Sequence, residues 1–330
     1  MSTAHAVPRR DVLSGRLNLL LDKGSFVELA GLAAGAGTIA GRRVFVHVQD
    51  SALDGAPVNR VADLAAATGA PLIGLLGNGP TLRLPASRVP TIGVVLDPGP
   101  APALSDLVLA VRGSGAEHAE TLFDDEATCL SGVRRLVRFL PPSPPAPVHP
   151  DDRPGLRGLV PPDPAVPYDM RAVLAELVDG GEHVELHAHW AGTVICALAR
   201  VGGRLVGVAA NQPAVLGGAL GAAAVRKVAR FIRFCDTFEV PLVSLVDGPA
   251  FRRESGDGPE AALRHRAQLL SAFCESTVPR VQVVVRTAPG AALAVTDFGA
   301  DLALVWPADE PATTRAAIAR ELTARLGVER

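Results

Sequence analysis

Apolar and polar positions fall into a pattern that occurs twice along the chain. The segment from Arg16 to Leu29 (RLNLLLDKGSFVEL) and that from Val173 to Leu186 (VLAELVDGGEHVEL) each read as a short apolar helix ending at a glycine and running into a strand. The stretches from Ile39 to Asp50 and from Arg200 to Gln212 each read as a strand, a Gly-Arg turn and a second strand. From Asn59 to Pro80 and from Arg226 to Pro249 the pattern changes to three-to-four spacing, then a turn, an unbroken apolar run and a Gly-Pro loop. That is an amphipathic helix followed by a buried strand. Val89 to Val111 and Val278 to Trp306 close the series with further strands.

Four matches in one order imply an internal duplication. The spacing between matching residues widens from Leu29/Leu186 through Pro71/Pro241 to Pro90/Pro279, so the second copy is the longer. Between the copies, Pro141 to Gly155 is proline-rich. Proline lacks the N–H that helix and central strand require, so this reads as an extended linker. The expected organisation is an N-terminal half over 1–145, a linker over 146–165 and a C-terminal half over 166–330. A chain of 330 residues suits two domains of roughly 150 residues each.

Composition removes several classes of function. A net charge of -2 offers no basic face for nucleic acid, and 4% aromatic residues offer no stacking platform for single strands. No apolar run approaches the roughly 18 residues of a membrane helix. Met1 to Arg10 is polar, so no signal peptide is expected and a cytoplasmic setting is. Cys129, Cys196, Cys235 and Cys274 are widely spaced, which suggests reduced thiols rather than a disulfide framework or zinc ribbon. Lys23 and Lys227 are the only lysines among 32 basic residues, a bias that reads as coding preference.

The residue-level candidates are few. His187 and His189 would share one face of a strand, but two imidazoles without a third ligand do not make a zinc site, so no metal is expected. Arg264-His265-Arg266 opens a helix and reads as a solvated face or a phosphate contact. Gly35 to Gly41 (GAGTIAG) is followed by a strand, which excludes a dinucleotide fingerprint. Asn211 and Gln212 end a strand and are candidates to face a ligand.

Several segments resemble the carboxyltransferase (β) subunits of biotin-dependent acyl-CoA carboxylases of the propionyl-CoA carboxylase kind. They are RLNLLLDKGSFVEL, PPDPAVPYDMR (Pro161 to Arg171), VGVAANQPAVLGG (Val206 to Gly218), ARFIRFCDTFEVPLVSLVD (Ala229 to Asp247), RHRAQLLSAFCESTVPRVQVVVR (Arg264 to Arg286) and GADLALVWP (Gly299 to Pro307). The resemblance is collinear and covers most of the chain. It implies an α/β fold of two tandem crotonase-like (ClpP/crotonase) β-β-α superhelix domains, the N-terminal half serving the acyl thioester and the C-terminal half biotin.

It also implies a chemistry in which a carboxyl group passes between biotin, on a separate carrier protein, and the α-carbon of an acyl-CoA. Paired backbone N–H groups in each half would hold a developing oxyanion. Carried over by position, the C-terminal pair falls in Pro289-Gly290-Ala291-Ala292, with Gly290, Ala291 and Ala292 keeping their N–H groups. The N-terminal loop becomes Gly77-Asn78-Gly79-Pro80-Thr81-Leu82, with Gly79 as donor and Asn78 as a substrate contact. Pro80 replaces a family glycine and removes one donor. A helix the family carries after this loop is not expected here, since Arg83 to Pro85 leads almost at once to the strand at Val89. The implied partners are a biotin carboxylase or biotin-carrier subunit, an acyl-CoA, and further subunits in a homo- or hetero-oligomer. Two alternatives stay open. One is a biotin-independent decarboxylase of a malonyl-type thioester, and the other is a non-catalytic paralogue that pairs with an active subunit.

Overall fold

The computed structural model describes residues 9–29, 34–49, 56–76, 89–98, 105–116, 118–141, 159–163, 165–248, 251, 260–286, 302–305 and 311–326. The chain divides into two units, Met1–Pro142 and Ser143–Arg330.

In the first unit, helix α1 (Arg9–Leu20) and the short strand β1 (Val27–Glu28) lead into a hairpin of β2 (Ala34–Ile39) and β3 (Arg42–Gln49). Strand β2 is glycine-rich for a packing reason. A Cβ on Gly35 would lie 2.4 Å from the Phe26 ring, and one on Gly37 would lie 2.8 Å from Leu21 Cδ1. Helix α2 (Ala56–Thr68), strands β4 (Leu72–Leu76), β5 (Thr91–Val95), β6 (Leu107–Val111) and β7 (Thr121–Phe123), and helix α3 (Glu126–Val137) follow. The seven strands pair in chain order, the first two pairings antiparallel and the others parallel.

The second unit repeats the plan. Helix α4 (Met170–Leu177) and strand β8 (His183–Leu186) precede the hairpin β9 (Val194–Val201) and β10 (Arg204–Asn211). Then come α5 (Ala222–Thr237), β11 (Leu242–Val246), α6 (Ala261–Glu275), β12 (Arg280–Val284), β13 (Leu302–Val305) and α7 (Pro311–Leu326). Again two antiparallel pairings give way to a parallel ladder, in the order β8-β9-β10-β11-β12-β13. This is the expected α/β architecture of two matching units. Alternation along the strands splits the burial between two faces. Ile195, Val208, Val243 and Val283 pack against Met170, Leu174 and Leu177 of α4 and Ile318 of α7. Each such side chain contributes roughly 1.5–3 kcal/mol of apolar burial. The opposite face meets α5, where a Cβ on Gly207 would come within 2.4 Å of Cys235 Sγ.

One aspartate in each copy fixes its hairpin. Asp22 accepts from the backbone N–H groups of Ala40 (3.0 Å) and Gly41 (2.8 Å), from Thr38 Oγ1 and from Arg134 Nη2. Asp179, its counterpart in the repeat, accepts from Gly202 N (3.0 Å) and Gly203 N (2.6 Å). Both turn residues of each hairpin have positive φ, the conformation a tight hairpin of this twist needs.

The Gly41 amide first, with the Arg134 guanidinium after it, holds the Asp22 carboxyl well below the usual carboxylate range. Its stabilising effect is therefore present above the unfolded value near 4 and is lost as pH falls toward the depressed folded value. Asp22→Asn turns an amide N–H toward a backbone donor, so the variant should be less stable at pH 7. Urea midpoints should then converge with the wild type as pH is lowered from about 4. A gap that stays constant with pH would contradict this account.

Three expectations change or fall elsewhere. Strand β8 stops at Leu186, and His187 has φ of 53°, so His187 and His189 belong to a loop and not to one face of a strand. The linker beyond Pro141 and the stretch from Arg83 to Pro85 lie outside the described residues.

Candidate functional site at the carboxyl edge of the second sheet

Strands β10, β11 and β12 run parallel and end side by side at Asn211, Val246 and Val284. Open α/β sheets present ligand sites at such carboxyl ends, because the following loops can splay there.

Asn211 ties two of these loops together. Its Nδ2 donates to Gly218 O at 2.8 Å, and its Oδ1 accepts from Asp247 N at 3.2 Å. The backbones touch closely. A Cβ on Gly218 would sit 2.9 Å from Asp247 O, and one on Gly248 would sit 3.0 Å from Gly218 O. Gly217 and Gly218 also hold φ of 64° and 76°, so only glycine fits this turn without strain. Gln212, wholly buried, spends its side chain on the start of α4. Its Oε1 accepts from Met170 N at 3.0 Å and its Nε2 donates to Asp169 Oδ1 at 2.5 Å. Both candidates therefore sit at the edge, with their polar ends bonded to the chain itself.

Three residues that the sequence did not single out form a buried cluster beside them. Asp247 Oδ2 accepts from Tyr168 Oη at 2.5 Å and from Arg286 Nε at 2.7 Å. Arg286 Nη1 donates to the carbonyls of Asp163 (2.9 Å), Val166 (3.2 Å) and Pro161 (3.3 Å), and its guanidinium lies 4.8 Å from the Tyr168 ring centre. Burial, then the bond to Asp247, pushes the Tyr168 phenol well up, so it stays a neutral donor. The segment approaching α4 is thereby buckled to the ends of β11 and β12.

The first unit carries the mirror of this charge. Asp97 occupies in the repeat the position that Arg286 holds, two residues past its strand. It binds Arg16 through Nη1 (2.9 Å) and Nη2 (3.0 Å), and Arg16 also reaches Glu126.

A further cation lies inside the second unit. Lys227 of α5 is 1% exposed, and its Nζ donates to three carbonyls, those of His187 (2.9 Å), Trp190 (3.1 Å) and Val194 (2.8 Å). Burial lowers its pKa. The nearby Cys196 thiol is quiet, burial pushing it up to about 12.

A cavity of about 40 Å³ opens at the same edge between the sheet and α5 and α6. Asn211 and Ser244 are its polar lining, while Val228, Leu269 and Phe273 make up part of the apolar wall. Of the other candidates, Asn78 and Gly79, and Gly290, Ala291 and Ala292, lie outside the described residues. In sequence they follow Leu76 of β4 and Arg286 after β12, both at carboxyl ends. Arg264-His265-Arg266 falls in the first turns of α6. Among the described residues, no group of three or more His, Cys, Asp or Glu is placed to hold a metal ion. No helix among them is long and apolar enough to cross a membrane.

A model of the carboxyl transferase domain matches residues 108–321. The propionyl-CoA carboxylase beta chain of Roseobacter denitrificans is 33% identical, the match covering 94% of this chain and 79% of that protein. The methylmalonyl-CoA decarboxylase subunit alpha of Veillonella parvula is 31% identical, over 89% of this chain and 76% of that protein. Among solved structures, the transcarboxylase 12S hexamer with hydrolysed methylmalonyl-coenzyme A superposes with a TM-score of 0.79 at 27% identity. That match covers 96% of this chain and 90% of that one.

Proposed function

Because the chain belongs to the carboxyl transferase domain family, we propose that it moves a carboxyl group between biotin, borne on a separate carrier protein, and the α-carbon of an acyl-CoA thioester. The observation that carries this reading is how the polar side chains at the carboxyl edge are used. Asn211, Gln212 and Arg286 bond backbone groups and Asp247 bonds Tyr168 and Arg286, so these four side chains are engaged within the fold, which favours main-chain amides as the groups to meet a ligand.

Such an edge suits a reaction whose charge develops on oxygen. Preorganised N–H donors each lower such a barrier by roughly 3–4 kcal/mol and need no reactive side chain. In this reading Gly290, Ala291 and Ala292 supply donors for the ureido oxygen. Gly79, with Asn78 beside it, faces the thioester oxygen. Biotin supplies the carboxyl group and, once relieved of it, a ureido nitrogen able to accept the α-proton. A biotin carboxylase or carrier subunit and a homo- or hetero-oligomeric assembly belong to the same reading, as does a cytoplasmic setting.

The kinship with a methylmalonyl-CoA decarboxylase subunit, together with Pro80 in the N-terminal loop, favours a second reading. The same amides would stabilise the enolate left when a malonyl-type thioester loses CO2 without biotin. Incubation with acyl-CoA plus carboxybiotin, and separately with malonyl-CoA or methylmalonyl-CoA, separates the two by CO2 release and product mass. Turnover only with carboxybiotin is the expected result. Turnover without biotin selects the decarboxylase, and silence in both selects a non-catalytic pairing subunit.

A further inference from the structure

We propose that Lys227 is a positioning residue for the transfer site, its ammonium shaping the loop that forms one rim of the carboxyl edge. This rests on the carboxyltransferase reading above. Three observations on separate elements meet here.

The first is the choice of residue. Lys227 lies on the buried stripe of α5 with Ala224, Val228, Phe231 and Cys235, a position that helical periodicity assigns to an apolar side chain. The chain writes arginine nearly everywhere else, yet its fully buried side chains include this lysine. Geometry gives a reason. An ammonium has three donors arranged in a pyramid, and the carbonyls of His187, Trp190 and Val194 converge on it at 2.8–3.1 Å. A guanidinium is flat and longer, and cannot place three N–H groups on one convergent set of acceptors.

The second is the loop itself. Residues 187–193 join β8 to β9, and two of them, His187 (φ 53°) and Ala191 (φ 48°), sit in the left-handed region without being glycine. Such conformations persist where surrounding contacts over-determine them. Here the loop's own bonds include Trp190 N to His187 O and Val194 N to Ala191 O, and the Lys227 ammonium draws His187, Trp190 and Val194 to one point.

The third is where the loop ends. Val194 pairs with Asn211 across the β9–β10 ladder, and Gln212 N donates to Thr193 O at 2.8 Å. A Cβ built on Gly192 would come to 3.9 Å from Val215, at the turn whose Gly218 carbonyl receives the Asn211 amide. The cradle around Lys227 therefore abuts the residues that fix the edge. Loosening it releases the rim on which Asn211 and Gln212 hold their neighbours.

The test uses the full chain with three substitutions: Lys227→Met, which keeps the length and removes the donors; Lys227→Arg, which keeps the charge and changes the geometry; and Lys227→Gln, which retains two N–H donors if the methionine variant does not fold. Amide exchange by mass spectrometry is read over 187–194, with α3 of the first unit as the control. Turnover is read with acyl-CoA and carboxybiotin, per folded molecule. Expected are at least tenfold faster exchange over 187–194 with α3 unchanged, and kcat at least tenfold lower with KM for acyl-CoA within twofold. The charge-retaining arginine variant should be no better than glutamine. Exchange within twofold of wild type overturns the cradle. Faster exchange with kcat unchanged makes Lys227 a strut and overturns its role in positioning. Wild-type silence with carboxybiotin defeats the carboxyltransferase reading instead, a result distinct from both because the exchange measurement needs no substrate.

Discussion

Asp247→Ala is expected to destabilise the second unit by about 3–5 kcal/mol, the cost of leaving a buried charge without its partner. The Asp247 and Arg286 side chains are 5% and 11% exposed, so water cannot readily replace the lost contact. The change strands the guanidinium and also leaves the Tyr168 hydroxyl without its acceptor. Urea denaturation of the variant should show the loss as a lower midpoint at pH 7. Removing the guanidinium too, in Asp247→Ala with Arg286→Met, should recover part of the stability, since the lone charge is what costs most. Tyr168→Phe should cost less, about 1.5–3 kcal/mol, because it removes one hydrogen bond to a charged acceptor. A loss below about 1 kcal/mol in Asp247→Ala would mean that the cluster is hydrated and does not buckle the segment before α4.

Ala292→Pro should lower kcat for carboxyl transfer by about 10²- to 10³-fold, the usual effect of deleting one oxyanion donor. Proline removes the N–H and adds no charge. Ala292→Gly keeps the N–H and should retain activity within a few-fold. The pair thus separates loss of the amide from loss of the methyl group. Urea midpoints for both variants should stay near that of the wild type. Transfer by Ala292→Pro at the wild-type rate would remove this loop from the reaction and, with it, the assignment of Gly290, Ala291 and Ala292.

Much of the architecture could be read from the chain because periodicity reports on near neighbours. The stripe of α5, the apolar run of β11 and the Gly-Arg hairpins each declare themselves within a dozen residues. Their order, repeated, implied the duplication that the two sheets display. The family resemblance was carried by such local segments as well, and the match over 108–321 agrees with it. His187 and His189 were misread because alternation alone does not mark where a strand stops. His187 has a positive φ and its carbonyl accepts from Lys227, a contact far along the chain that local alternation does not report.

What the sequence determined by itself was the kind of element at each position and the repetition of the set, since both depend on side chains a few residues apart. Only the tertiary structure decided what the polar residues at the sheet's edge do. Tyr168, Asp247 and Arg286 meet because a parallel ladder brings strand ends that are far apart in sequence to one edge. Asn211 and Gln212 turn inward for the same reason. Once the loops close over them, the backbone groups to be satisfied lie within the fold, and a buried amide left without a partner costs more than a ligand contact returns.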